Sequence, residues 1–140
     1  MTEKYKIMSE FVKDLSSETP DIKAYLFVKD NIHKYHLNIE ITSKALKDKI
    51  IEINTQLTLH DKEANETKAN FEMIYTTIIR LENEINDKKE LQKIILCDVQ
   101  NKIYPNLDTA FKSLISISGY KHVKFDKKID FEKLYKEQFN

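Results

Sequence analysis

Residues 51–81 read IEINTQLTLHDKEANETKANFEMIYTTIIRL. Two runs within this stretch alternate. From Ile51 to Leu59 the odd positions are Ile51, Ile53, Thr55, Leu57 and Leu59, and the even ones are Glu52, Asn54, Gln56 and Thr58. From Ala69 to Leu81 the odd set is Ala69, Phe71, Met73, Tyr75, Thr77, Ile79 and Leu81. Successive side chains of a strand point to opposite faces, so each run predicts a strand with one buried face. Ile74 and Ile78 stand in the even set of the second run, which predicts that part of its other face is covered as well. The residues between, His60 to Lys68, are polar and read as a hairpin connection.

Towards the N-terminus, Leu37, Ile39 and Ile41 alternate with Asn38 and Glu40 and predict another strand. Thr42 to Lys49 turns it into the strand that follows. Tyr5 to Leu15 alternates less cleanly, with Tyr5, Ile7, Phe11 and Leu15 against Lys6, Glu10 and Asp14, and is read as a fourth strand. Between them lies a long connection, Ser16 to Tyr35, which contains Pro20 and carries Tyr25 and Phe27. Connections longer than about 12–15 residues in a compact domain are usually functional or disordered.

Towards the C-terminus the period changes. Leu91, Ile94, Ile95 and Val99, then Ile103, Leu107, Ala110, Phe111, Leu114 and Ile115, follow helical spacing. Pro105 has no N–H, so it either starts a second helix or kinks a continuous one. Gly119 is placed to end this run as a left-handed C′ residue. A last helix follows Asp130, an N-cap residue, with Phe131, Leu134, Tyr135 and Phe139 on one face. Strands followed by helices give an α+β class: a four-stranded antiparallel sheet, a long helix pair and a C-terminal helix, in one domain over residues 1–140.

Composition narrows the function classes. The 140 residues include one glycine and two prolines, where average usage gives about ten and seven. A glycine-rich phosphate loop has no room in this chain. Lysine plus arginine number 23 and aspartate plus glutamate 23, so the net charge is zero. The single arginine is Arg80. Nucleic acid calls for a basic face, and this balance argues against it. The N-terminus lacks the apolar run of a signal peptide, and no long apolar run predicts a membrane span. One cysteine, Cys97, permits no intrachain disulfide, and the expected compartment is the cytoplasm.

No residue set points to catalysis. His33 and His36, with Asp30 near, fall short of a metal site, and His60 and His122 read as solvated. Cys97 lies in a helical apolar run and reads as a packed thiol. Neither a catalytic group, a metal nor a cofactor is expected.

Phe11, Lys13, Asp14, Ser16, Glu18 and Pro20 match the N-terminal strand motif aromatic-x-Lys-Asp-x-Ser-Phe-Glu-x-Pro, with Ser17 in place of the phenylalanine. That motif is the one of the SecB family of protein-export chaperones, which this chain resembles. Lys102-Ile-Tyr-Pro105 is similar to the family's Ile-Leu-Phe-Pro, Gly119 stands where the family has a glycine, and Asp130-Phe-Glu-Lys-Leu-Tyr135 is similar to the opening of its last helix. The similarity runs from about residue 5 to residue 139. Two departures stand out: Thr76 and Thr77 lie near the family's Gly-Gly, and the net charge is zero where export members are acidic.

The resemblance implies a dimer of dimers that binds unfolded polypeptides in hydrophobic grooves and hands them to the SecA ATPase. By position it implies SecA-facing roles for Asp14 and Glu18, with Glu72 as a further acid. The expected client groove combines Tyr25 and Phe27 of the long connection with Phe71, Met73, Tyr75, Ile103 and Tyr104. SecB-like chaperones that protect antitoxins form a second implied class. An adaptor that binds one fixed partner chain is the alternative drawn from the apolar faces alone.

Overall fold

The computed structural model describes residues 4–61, 69–121 and 129–139. The hairpin connection after Asp61, His122 and the side chain of Phe139 lie outside the described residues. The elements are β1 (Tyr5–Glu18), α1 (Ile22–Asn31), a 3-10 turn (Ile32–Lys34), β2 (His36–Ala45), β3 (Ile50–His60), β4 (Asn70–Leu81), α2 (Lys88–Lys93), a π turn (Ile94–Asp98), α3 (Val99–Ile117) and α4 (Phe131–Phe139). The four strands form one antiparallel sheet in the order β1-β4-β3-β2, which leaves β1 and β2 at its edges. The α+β expectation holds.

The odd residues of β3 and β4 face the helices. Ile53, Leu57, Leu59, Phe71, Met73 and Ile79 are buried there against Val99, Ile103, Leu107, Phe111 and Leu114. Covering one face of the sheet is what the alternation required, and the hydrophobic effect supplies the drive. On the opposite, outer face, Thr76 is also fully buried. No helix does this. Thr76 lies between Phe11 on β1 and Asn54 on β3, and its hydroxyl donates to Asn54 Oδ1 at 2.7 Å.

Three sequence expectations are corrected or resolved here. The long connection is largely helical. Asp21 caps α1 by accepting from the Ala24 N–H at 2.8 Å, and Ala24 and Val28, one turn apart, bury its inner side. β1 runs on to Glu18 and its register shifts between Ile7 and Ser9 and between Val12 and Asp14. Each shift inserts an extra residue, Met8 or Lys13, and so breaks the alternation that the sequence shows only imperfectly. Pro105 lies inside α3, so one continuous helix follows the π turn. Just after that turn, in the first turn of α3, the Gln100 side-chain amide donates back to the Ile95 carbonyl at 3.2 Å and its oxygen accepts from Thr55 Oγ1 at 2.9 Å. This buried pairing ties the turn to the sheet.

Gly119 ends α3 as the sequence predicts. Its φ is +107°, its N–H donates to the Ser116 carbonyl, and Tyr120 N–H donates back to Ile115 at 3.3 Å. These are the two bonds of a Schellman cap. A Cβ here would lie 3.3 Å from Tyr25 Cε1. Gly119→Ala is therefore expected to destabilise the fold by about 1–2 kcal/mol. Urea denaturation measures this, and an unchanged midpoint would contradict it.

Candidate functional site

Two surfaces meet the expectations drawn from the sequence. The first is the outer face of the sheet. Cross-strand partners share a face, and the register sets Asp14 beside Ile74, Ser16 beside Glu72, and Glu18 beside Asn70. Asp14, Glu18 and Glu72 thus sit together at one end of this face, with Asp14 and Glu18 exposed. Glu40 of β2 falls in the same row as Asp14, through Gln56 and Ile74. Sequence reading passed over it, because only the sheet register brings it there.

The other end of the face is basic. Lys6 pairs with Arg80, and Lys44 stands opposite Glu52. Glu52 is held below the usual carboxylate range, first by the hydrogen bond from Asn54 Nδ2 at 2.9 Å and then by Lys13 and Lys44. Its charge is neutralised locally, while Asp14 and Glu18 stand exposed at the other end.

The second surface is a cleft of about 500 Å³ between β2 and α4. Leu37, Ile39, Ile129 and Leu134 give it an apolar floor, and His36, Asp130, Lys133 and Glu137 form its rim. Asp130 caps α4 by accepting from the Lys133 N–H at 3.1 Å, which fixes the helix start beside the strand. Tyr104 and Phe111 lie just beneath, around a small void that also touches Leu37 and Ile129. A volume of this order suits a small ligand or a few side chains of a peptide.

The seven aromatic and apolar groove candidates are not brought together. Phe71, Met73 and Ile103 are fully buried in the core, and Tyr75 is nearly so, with its hydroxyl donating to Glu10 Oε1 at 2.8 Å. Tyr25 stacks on Tyr120 with centroids 5.1 Å apart and donates to the Gly119 carbonyl at 3.0 Å. Phe27 is 37% exposed on α1, beside the more exposed Leu26. Tyr104 packs edge-on against Phe131 at 6.0 Å, under the cleft. β1 adds exposed apolar residues outside the expected groove set, Phe11 at 47% and Leu15 at 44%.

The remaining chemistry candidates are structural. Cys97 is buried in the π turn, and burial pushes its thiol up, away from the reactive thiolate. His36 packs edge-on against His60 across β2 and β3, with centroids 5.5 Å apart. Among the described residues no helix is long and apolar enough to cross a membrane.

Three phenols are pushed up to about 12: Tyr5, Tyr35 and Tyr75. Burial is the main cause in each. The Asp98 carboxylate that accepts from Tyr5, the charge of Asp61 near Tyr35 and the Glu10 carboxylate on Tyr75 add to it. The folded state holds these protons more tightly than an unfolded chain, whose tyrosines ionise near pH ~10. Their contribution is complete below that pH and is lost between about pH 10 and 12. The thermal midpoint, followed by circular dichroism, is expected to be insensitive to these groups up to pH ~10 and to fall steeply above it. All seven tyrosines ionising near pH ~10 in an intact fold would contradict this.

Comparison with known proteins agrees with this architecture. The profile of the family described as preprotein translocase subunit SecB matches residues 1–140. A putative protein-export protein SecB from Pelagibacter ubique (strain HTCC1062) is 55% identical over 140 residues, covering 100% of both chains. A protein-export protein SecB from Rhodopseudomonas palustris (strain BisB18) is 21% identical over 131 residues, covering 94% of this chain and 78% of its own. Among solved structures, a SecB-like chaperone from Mycobacterium tuberculosis, in complex with a ChAD peptide from the HigA1 antitoxin, superposes with a TM-score of 0.66. Its identity is 10%, and the match covers 90% of this chain and 88% of that one.

Proposed function

The chain belongs to the SecB family of protein-export chaperones, and on that footing we propose that it is an ATP-independent holdase that keeps export-bound polypeptides unfolded and passes them to the SecA ATPase. The observation that carries the reading is the open cleft with an apolar floor between β2 and α4. Apolar burial against such a floor is largely indifferent to client sequence. The sequence offers no glycine-rich loop for a nucleotide, in keeping with a holding role. The groove is then centred on Leu37, Ile39, Ile129 and Leu134, with Tyr104 beneath, and Phe71, Met73 and Ile103 support it from the core. The acidic end of the outer sheet face is the surface proposed for SecA. The exposed apolar residues of β1 favour assembly, and a cytoplasmic dimer of dimers is the proposed form.

The relative at 55% identity is named for protein export. The neighbour bound to an antitoxin peptide shares the fold at 10% identity. Export is therefore the reading favoured over an antitoxin role. The test is aggregation of a chemically unfolded client diluted into buffer without nucleotide. The holdase suppresses aggregation at near-stoichiometric amounts. A client that aggregates at the same rate with and without the protein sinks the proposal.

A further inference from the structure

The packing of His36 on His60 leaves one buried atom unexplained. His60 Nδ1 is buried and has no hydrogen-bond partner among the described residues. A buried polar atom in that condition commonly seats an ordered water or an ion. What stands beside it is a second imidazole. His36 opens β2, His60 closes β3, and the two are direct cross-strand partners. Such partners hold their Cβ atoms about 4.5–5.5 Å apart, so the backbone itself brings two nitrogen ligands together.

The ring spacing suits a shared ion. The centroids lie 5.5 Å apart, with the ring planes at 84°. A zinc–imidazole bond is about 2.0–2.1 Å, and two imidazoles on one tetrahedral ion hold their ring centres about 5 Å apart. His36 is exposed, and the second side-chain torsion of histidine is soft, so its ring can turn a nitrogen towards the ion. Each imidazole has two nitrogens, so a ring can ligate with one and keep a contact with the other.

The surroundings favour a cation over a water. His36 and His60 belong to the even set of their strands, which shares the outer sheet face with Thr58 and Glu72. Thr58 is directly opposite Glu72 and two residues from His60. Glu18, opposite Asn70, stands at the same end. Carboxylates gathered at one end of a face raise the local concentration of cations.

We propose that His36 and His60 form a two-histidine site for a divalent transition-metal cation, clamping β2 to β3 at the end of the outer sheet face. Imidazole suits zinc, copper and nickel, and excludes calcium and magnesium, which take oxygen ligands. Among the described residues no third histidine, cysteine or carboxylate joins the pair in a metal-binding group, so water fills the remaining positions. The site is independent of client holding, and either can fail without the other.

The probe is zinc chloride, titrated into chelator-washed protein and followed by calorimetry and by the imidazole signals in nitrogen-15 spectra. One zinc binds per chain, and the signals of His36 and His60 move while that of His33 does not. His36→Asn and His60→Asn are each expected to weaken binding at least about tenfold, and His33→Asn less than about twofold. Zinc raises the thermal midpoint of the parent chain and leaves that of the double variant in place, because only the folded pair presents both ligands. Circular dichroism establishes that each variant is folded. Should one not fold, the imidazole signals of the parent chain decide alone. No binding at millimolar zinc overturns the proposal and leaves His60 Nδ1 to a water. Parental affinity in both variants, or shifts confined to the other histidines, overturns it as well. One zinc per two chains places the ion between copies and also overturns it.

Discussion

The double variant Asp14→Lys, Glu18→Lys is expected to lose binding to the SecA ATPase by at least about a hundredfold while its protection of an unfolded client stays within about twofold. The expected loss is electrostatic. Asp14, Glu18 and Glu72 form the acidic end of an outer sheet face whose other end carries Lys6, Arg80 and Lys44. Both substituted side chains are exposed, so neither replacement opens a cavity or strands a buried charge. Two acids become two bases, and like charges facing a docked partner cost several kcal/mol, which is about a hundredfold or more in affinity. The cleft proposed for clients lies on the helix side of β2, at the far edge of the sheet from β1. Calorimetric titration of SecA separates the outcomes. Unchanged SecA affinity removes this role from the two acids.

Phe71→Ala is expected to cost about 3–5 kcal/mol of stability, the range for truncating a buried aromatic. Phe71 is fully buried and meets the edge of Tyr120 at 5.5 Å. Truncation leaves a void beneath the end of α3, where Tyr120 also stacks on Tyr25. The milder Phe71→Leu keeps most of the volume and gives a folded variant for binding work. Its client affinity is expected to match that of the parent chain. A Phe71→Leu protein of near-parental stability that no longer holds clients would instead make Phe71 part of the groove surface.

Part of this architecture is legible in the sequence. The strands around residues 51–81 were plain, because helices cover one face along their whole length and alternation records that directly. β1 was blurred, because extra residues at Met8 and Lys13 shift which side chains face inward. α1 was hidden because Ile22, Ala24, Leu26, Phe27 and Val28 are apolar on more than one side, so no helical stripe stands out. The cap at Asp21 after Pro20 was the signal available. On sequence alone Phe71, Met73 and Ile103 fit a groove, because a core aromatic and a client-facing one have the same composition and period. Only packing separates them. The cleft was invisible for a related reason: Leu37 and Ile39 were legible as strand residues, but nothing local says that α4, some ninety positions later, closes against their edge. Glu40 joins the row of Asp14 only through the cross-strand register.

On the proposed function this chain assembles with itself and holds unfolded polypeptide without a nucleotide. Light scattering of the purified protein, alone and with an unfolded client in nucleotide-free buffer, tests it most directly. The expected result is a mass of four chains that rises by the mass of the client when one is added. A single-chain mass that the client leaves unchanged would contradict the account.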